Sequence, residues 1–566
     1  MPLHRRIAFT LPVSIALLVS GCGGGSGGSS GGGSTPTITS VAVVCSPASI
    51  LTTQTSNCAA TVQGTGSYSS AVTWTASDGT ITSSGVFTPT IAGTVIVTAT
   101  STEDSTKSGT ASIVVGSQTT TNEWTWMSGS DSAGARGVYG TLGVVSTSNV
   151  PGSRSGSVSW TDASGNLWLF GGWGGNGAPS GDLNDLWEFN PSSKEWTWVS
   201  GSNTGNVYGD FSETGVYGTQ GVASANNVPP PRDSAVSWTD SSGNLWLFGG
   251  EGFTSGTVNG MFNDLWEFNT TTKEWTWVSG SNTINASGVY GTLGAGSASN
   301  VPSARGSGSG GSALSWTDSS GNFWLFGGSG TNGLLNDLWG FSPTTKEWTW
   351  VSGSDTPNAV GIYGTQGVAS VNNVPGARGY AVGWRDKSDN FWLYGGEGYG
   401  ATGLANGDLS DLWEFNPSSK EWTWVSGSNA GSVVPVYGTQ GAASASNTPG
   451  GRDSAVSLVD SSGNFWLFGG FDYDGGTTNQ YLNDLWEFSP TTREWTWVGG
   501  SETGEAKGVY GTLGTPSASN VPGARGSEGI AVTWTDSSGN FWLFGGEGYD
   551  STGTLGELND LWRYQP

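Results

Sequence analysis

Lys194–Ser202 reads KEWTWVSGS. The same nine residues return at Lys273–Ser281, Lys346–Ser354 and Lys420–Ser428, with REWTWVGGS at Arg493–Ser501 and NEWTWMSGS at Asn122–Ser130. In the five later copies the stretch follows DLWEFNP or a near variant, beginning at Asp185, Asp264, Asp337, Asp411 and Asp484. The copy at Asn122 has no such predecessor. A sixth DLW, in DLWRYQP, occupies Asp560–Pro566 with no WTW behind it. Each of these two incomplete units holds what the other lacks.

The rest of the unit reads outward from these anchors. In the second copy, RDSAVSWTD (from Arg232) and GNLWLFGG (from Gly243) precede NDLWEFN (from Asn263) and KEWTWVSG (from Lys273). Helical periodicity is missing, and short runs of Val, Thr, Trp and Phe alternate with Gly, Ser and Asn turns, which predicts an all-β chain. The second and third segments are apolar on both faces, as in a sheet covered on both sides. The fourth alternates, with both tryptophans on one face, which suits an outer edge. Double glycines close the second segment at Gly171, Gly249, Gly327, Gly395, Gly469 and Gly545, between 68 and 78 residues apart. A repeat of four antiparallel strands is the pattern of a propeller. The expected closure pairs Asn122–Met127 with Leu558–Gln565, which removes two open sheet edges.

The double glycine, the spaced aromatic of DLW, the tryptophans of the fourth strand and a Pro-x-x-Arg before the first strand together resemble the kelch family, to which the galactose oxidase-like central domain is similar in fold. The resemblance covers 123–566 and implies a six-bladed β-propeller. Kelch units run to about 50 residues, so each unit here carries an insertion of about 20–25 residues between strands four and one, as in GVYGTQGVASVNNVPGAR. Upstream, VTWTASDGTITSSGVFTPTIAGTVIVTATS looks like the bacterial Ig-like group 2 domain. That implies a small β-sandwich over 37–116 with Trp74 in its core and a spacer role, joined to the propeller by a linker over 117–122.

The amino-terminal segment MPLHRRIAFTLPVSIALLVSGC has a basic start, a short apolar run and small residues before Cys22, as a secretory signal does. VSGC resembles a bacterial lipobox. That implies a signal peptide over 1–21, lipidation of Cys22 and an outer-membrane or cell-surface lipoprotein whose only membrane contact is the anchor. The Gly/Ser stretch over 22–36 reads as a flexible tether. With Cys22 acylated, Cys45 and Cys58 are left to form a disulfide in an oxidising compartment.

Composition excludes several functions. The formal charge is −25, which repels phosphate backbones, so no nucleic-acid partner is expected. The one histidine, His4, lies in the signal. Ser–His and Cys–His catalysis and ordinary zinc, copper and haem sites are therefore not expected. Galactose oxidase-type copper chemistry is excluded with them. No cofactor is expected, and oxygen-ligand cations such as calcium are the only metals these side chains suit.

Scaffold and site separate by recurrence. Of 31 tryptophans, only Trp74 and Trp173 stand outside the repeated positions. An arginine opens strand one in every unit (Arg154, Arg232, Arg305, Arg378, Arg452, Arg525). Six of them could ring an anion at the axis, but an internal ion pair to the Asp of DLW is the favoured reading. The recurrent tyrosine of VYGT is expected to pack the inserted segment. Function should lie in the loops of 8 to 14 residues between the double glycine and DLW, which differ from unit to unit. They supply the candidate ligand-binding residues Trp173, Glu251, Phe253, Glu397, Tyr399, Phe471, Tyr473, Glu547 and Tyr549. Aromatic platforms beside carboxylates suit sugar rings and cationic groups. The expectation is a non-catalytic surface binding or adhesion protein for an extracellular glycan or surface protein, with no catalytic residue assigned. The alternatives are a carbohydrate-active enzyme, since six-bladed kelch sialic-acid mutarotases are similar in architecture, and a protein-docking surface. Glycosidase chemistry would need two carboxylates about 5–10 Å apart, and the three glutamates sit in alternate units.

Overall fold

The computed structural model describes residues 35–52, 54–116, 122–175, 180–204, 206–207, 214–253, 258–306, 311–403, 407–431, 433–472, 479–526 and 530–566. The expected signal, Cys22 and most of the tether lie outside them. The described chain is all β, with no helix. It divides into two compact units, Met1–Thr119 and Thr120–Pro566.

The first unit holds two four-stranded sheets. One runs Thr37–Ser46, Ser56–Thr65, Val86–Thr88, Thr80–Ile81 and the other Ser49–Leu51, Ser108–Gly116, Gly93–Ser101, Val72–Ala76. Phe87, Val95, Val97, Ile113 and Val115 fill the space between alternating polar positions. Cys45 and Cys58 stand opposite each other in the first sheet and are disulfide-bonded. Trp74 packs against this core from a half-buried position, so it is a flank of the core and not its centre.

In the second unit each copy of the repeat folds into a four-stranded antiparallel meander. The first comprises Val158–Thr161, Leu167–Gly174, Gly181–Asn190 and Glu195–Ser200. The last comprises Val532–Thr535, Phe541–Tyr549, Leu555–Gln565 and, from the other end of the unit, Glu123–Ser128. Trp126 stands opposite Trp562 and Trp124 opposite Tyr564 in that pairing. The inner strand of each repeat touches that of the next, and Val532–Thr535 touches Val158–Thr161. This closed succession of small sheets is a β-propeller-like arrangement.

Burial explains why the sheets pack face to face. Trp168, Phe170 and Leu186 of the first repeat share one core with Leu245, Leu247, Trp266 and Phe268 of the second. Leu167, Leu169 and Trp187 on the other face share another with Trp534, Trp542 and Phe544 of the sixth. Each such side chain contributes about 1.5–3 kcal/mol on burial. The double glycine permits the close fit at its end. Gly171 and Gly172 have φ of 65° and 97°, and a Cβ on Gly171 would lie 2.7 Å from the Arg232 carbonyl of the next repeat.

The inserted segments cover the outer edges. Gly143 N–H donates to the Trp198 carbonyl at 2.8 Å, and Asn149 Nδ2 donates to the Trp196 carbonyl at 3.0 Å. The pattern recurs through Gly514 and Asn520 on Trp126 and Trp124. An edge strand that would otherwise offer free carbonyls to another chain is thereby blunted.

The closing strand should be essential to the second unit. Trp124 is 7% exposed and packs on Phe468, Trp562 and Tyr564. Trp124→Ala is expected to cost about 3–5 kcal/mol by denaturant unfolding, and deletion of Glu123–Ser128 more. An unchanged unfolding midpoint for the deletion would refute the pairing as a source of stability.

Candidate ligand-binding loop surface

The six arginines do not gather at an axial anion site. Each is consumed inside its own repeat, as an internal ion pair requires. Arg154 Nη1 and Nη2 donate to Asp185 Oδ1 and Oδ2, both at 2.7 Å, and Nη1 also donates to the Gly171 carbonyl at 3.0 Å. Arg232–Asp264, Arg305–Asp337, Arg378–Asp411, Arg452–Asp484 and Arg525–Asp560 repeat the pair with both side chains almost fully buried. Burial opposes the arginine charge, but the adjacent aspartate outweighs it and holds each arginine above its ordinary pKa. The recurrent tyrosine does more than pack the insertion. Tyr139 OH donates to Asp185 Oδ2 at 2.6 Å, and Trp187 Nε1 donates to the same oxygen at 2.7 Å. Burial, then the aspartate charge, raise the pKa of Tyr217, Tyr363 and Tyr510 and keep them as neutral donors.

The cavity between the inner strands is likewise scaffold. About 230 Å³ is lined by small residues such as Ser157, Ser159, Ser237, Ser315 and Ser457. Ser237 Oγ donates to the Ser159 carbonyl and Ser457 Oγ to the Gly383 carbonyl, each at 3.0 Å, so these hydroxyls stitch neighbouring repeats.

The non-recurrent loop residues fall into different environments. Trp173 lies in the strand Leu167–Gly174, opposite Ser155 on one side and Asp182 on the other, and is half-buried. Phe253 is 7% exposed, which makes it a packing residue and not an open platform. Glu251 is half-buried and accepts from Asn259 Nδ2 at 2.7 Å. Glu397 is exposed, and Tyr399 and Glu547 are half-buried. Tyr473 lies outside the described residues. No group of three or more Asp, Glu, His or Cys side chains is placed to hold a metal among the described residues.

Phe471 and Tyr549 are brought together through a residue that sequence reading passed over. Tyr481 meets Phe471 edge-on at 5.3 Å and Tyr549 edge-on at 5.8 Å, and all three are half-buried. Phe471 and Tyr481 face each other across the fifth repeat, while Tyr549 belongs to the sixth. Burial and the neighbouring Glu505 carboxylate raise the Tyr549 pKa, so its hydroxyl remains a donor. The cluster spans a seam between repeats, where apolar ring faces and polar tips lie side by side. Tyr481 escaped notice because it sits three residues before the recurrent Asp484, inside what reads as strand. No known protein-family model matches the chain, and no curated protein matches it in sequence.

The arginines should matter to stability and not to binding. Arg378→Ala leaves Asp411 buried without its countercharge and is expected to cost about 3–5 kcal/mol. Arg378→Met/Asp411→Asn should recover part of that loss. If Arg378→Ala melts with wild type, the structural assignment of the pair is wrong.

Proposed function

We propose that the chain is a lipid-anchored cell-surface binding protein whose second unit is a six-bladed kelch-type propeller with a glycan-binding loop face. The first unit then serves as an Ig-like spacer. The observation that carries the reading is the Phe471–Tyr481–Tyr549 cluster. Recurrent strand aromatics such as Trp168, Trp187 and Trp246 are buried in the shared cores, whereas these three belong to non-recurrent positions and retain partial exposure. Edge-to-face rings with phenol tips offer C–H stacking and hydrogen bonds together, which is what a pyranose presents. Trp173 gives the first repeat a second half-buried ring of this kind.

A glycan array with and without calcium identifies the ligand class. Against any hit, Tyr481→Ala and Trp173→Ala are each expected to weaken binding by about 1 kcal/mol or more with little change in melting temperature. Full affinity in both variants, or stability loss alone, removes the loop face as the binding site. The anchor is tested separately. A fatty-acid probe should label wild type and not Cys22→Ala, and equal labelling refutes the lipid assignment.

A further inference from the structure

Four of the six repeats carry a glutamate directly after DLW: Glu188, Glu267, Glu414 and Glu487. In the first repeat it bridges two donors. Glu188 Oε1 accepts from Asn166 Nδ2 at 2.8 Å, and Oε2 lies 3.5 Å from Lys273 Nζ of the second repeat. Lys273 Nζ in turn stands 4.4 Å from the centre of the Trp168 ring. Glu267 and Glu487 accept from Asn244 and Asn464 in the same way, and Glu414 pairs with Arg493 of the fifth repeat at 3.7 Å. At these seams a carboxylate ties down an asparagine of its own repeat, a cation of the next, or both.

The third repeat keeps both donors without the carboxylate. Gly340 stands in the glutamate's place, opposite Trp324 on one side and Thr349 on the other. Asn322 Nδ2 donates to Asp318 Oδ2 at 3.0 Å, which uses one of its two amide hydrogens. Lys420 Nζ of the fourth repeat stands 4.6 Å from the centre of the Trp324 ring, as Lys273 does over Trp168. Burial lowers the Lys420 pKa, and the Asp318 charge opposes that shift. Asp318 is itself held by Trp324 Nε1 and by the N–H groups of Ser320 and Asn322. The sixth repeat also lacks the glutamate but has the long side chain of Arg563 there, so only the third repeat has glycine at this position.

A cleft of about 450 Å³ results, in the range of small-ligand sites. Asn322, Trp324, Thr345, Glu347, Thr349 and Lys420 line it. We propose that this cleft binds a small hydroxylated carboxylate of the hexuronate class, with its carboxylate between Lys420 Nζ and Asn322 Nδ2 and its hydroxyls on Thr345, Glu347 and Thr349. A carboxylate there completes the bridge that Glu188 makes in the first repeat. The hydroxylated ring follows from the rest of the lining. An ionised Glu347 can only accept, so it suits a ligand that also donates. Glu195 holds the corresponding position near Glu188 in the first repeat, so the frame already accommodates a carboxylate close to that side chain. The cleft lies by the turns 318–322 and 343–346, at the ends of the strands opposite the double glycine. It is therefore separate from the loop face and does not rest on it.

The test is a ligand-observed NMR titration of the full chain with glucuronate, glucose and acetate. Glucose lacks the carboxylate and acetate lacks the ring, so wild type should bind glucuronate about tenfold or more tighter than either. Gly340→Glu puts the recurrent glutamate into the cleft. Its Cβ would meet only the Trp324 ring, at 3.9 Å, so the variant should fold and melt no lower than wild type. It should weaken glucuronate binding about tenfold or more, and Lys420→Gln should do the same by removing the charge. Should Lys420→Gln fail to fold, Gly340→Glu decides alone. Absence of glucuronate binding to wild type overturns the proposal. Equal affinity for glucose or for acetate overturns the ligand class. Glucuronate binding that survives Gly340→Glu puts the sugar on another surface, such as the loop face, and overturns the assignment to this cleft.

Discussion

The buried arginine–aspartate pair is the constraint on which each repeat depends. It joins four segments distant in sequence: the strand-opening arginine, the carbonyl of the double glycine, the DLW aspartate and the tyrosine of the inserted segment. A buried ion pair is weak evidence for net stability, because desolvating both charges offsets much of their attraction. What it provides is registry. Asp185 accepts from Arg154, Tyr139 and Trp187 together, and any shift of one strand would leave a buried charge and several donors unsatisfied. With the carboxylate fully committed, the insertion is held against its own sheet and covers the outer edge.

Between repeats the cohesion is mostly apolar, with hydrogen bonds that add specificity. Trp160 Nε1 donates to the Trp246 carbonyl at 2.9 Å, and Trp384, Trp238 and Trp534 repeat the link at other seams. Two seams depart from this: the fifth repeat has Leu458 in place of the donor tryptophan, and the seam between the third and fourth repeats lacks the bond although Trp316 is present. Gly383 replaces the serine or threonine that donates elsewhere, and the buried Trp316 Nε1 has no partner. Asp389 compensates at the periphery by accepting from Ser319 N–H at 3.0 Å and from its hydroxyl at 2.6 Å. Two lost links inside are thus replaced by contacts outside, on a loop that no other repeat uses in this way.

Much of the fold was legible because recurrence amplifies it. A single DLW or WTW says little; copies with complementary ends specify both the meander and the pairing of Leu555–Gln565 with Glu123–Ser128. The Arg–Asp pair was readable from equal counts, one arginine opening strand one and one DLW aspartate in each of the six repeats. The tyrosine's part was not, because a residue present in every copy offers no contrast to show whether it packs or donates. The loop residues were read less well. Phe253 seemed an open platform since it follows a glycine pair, but the hairpin of Glu251–Phe253 with Asn259–Met261 turns it inward. Tyr481 was missed for the opposite reason: it occupies a strand position, and its contact with Tyr549 of the next repeat is a cross-seam relation that no local pattern displays.

That relation says how such a scaffold can diversify. Residues in the ion-pair network cannot vary singly, since each satisfies several others. The register position three before the DLW aspartate is different, because its residue changes from repeat to repeat. It holds Asp182, Met261, Leu334, Asp408, Tyr481 and Glu557 in the six repeats. Between the fifth and sixth repeats the surface is set by residues of both, Tyr481 and Tyr549. Placing a tyrosine at 182 would bring a ring against the half-buried Asp233 carboxyl, with which Asp182 interacts, an overpacked and electrostatically unfavourable contact. Variation at this position makes the loop face asymmetric despite its repeated frame.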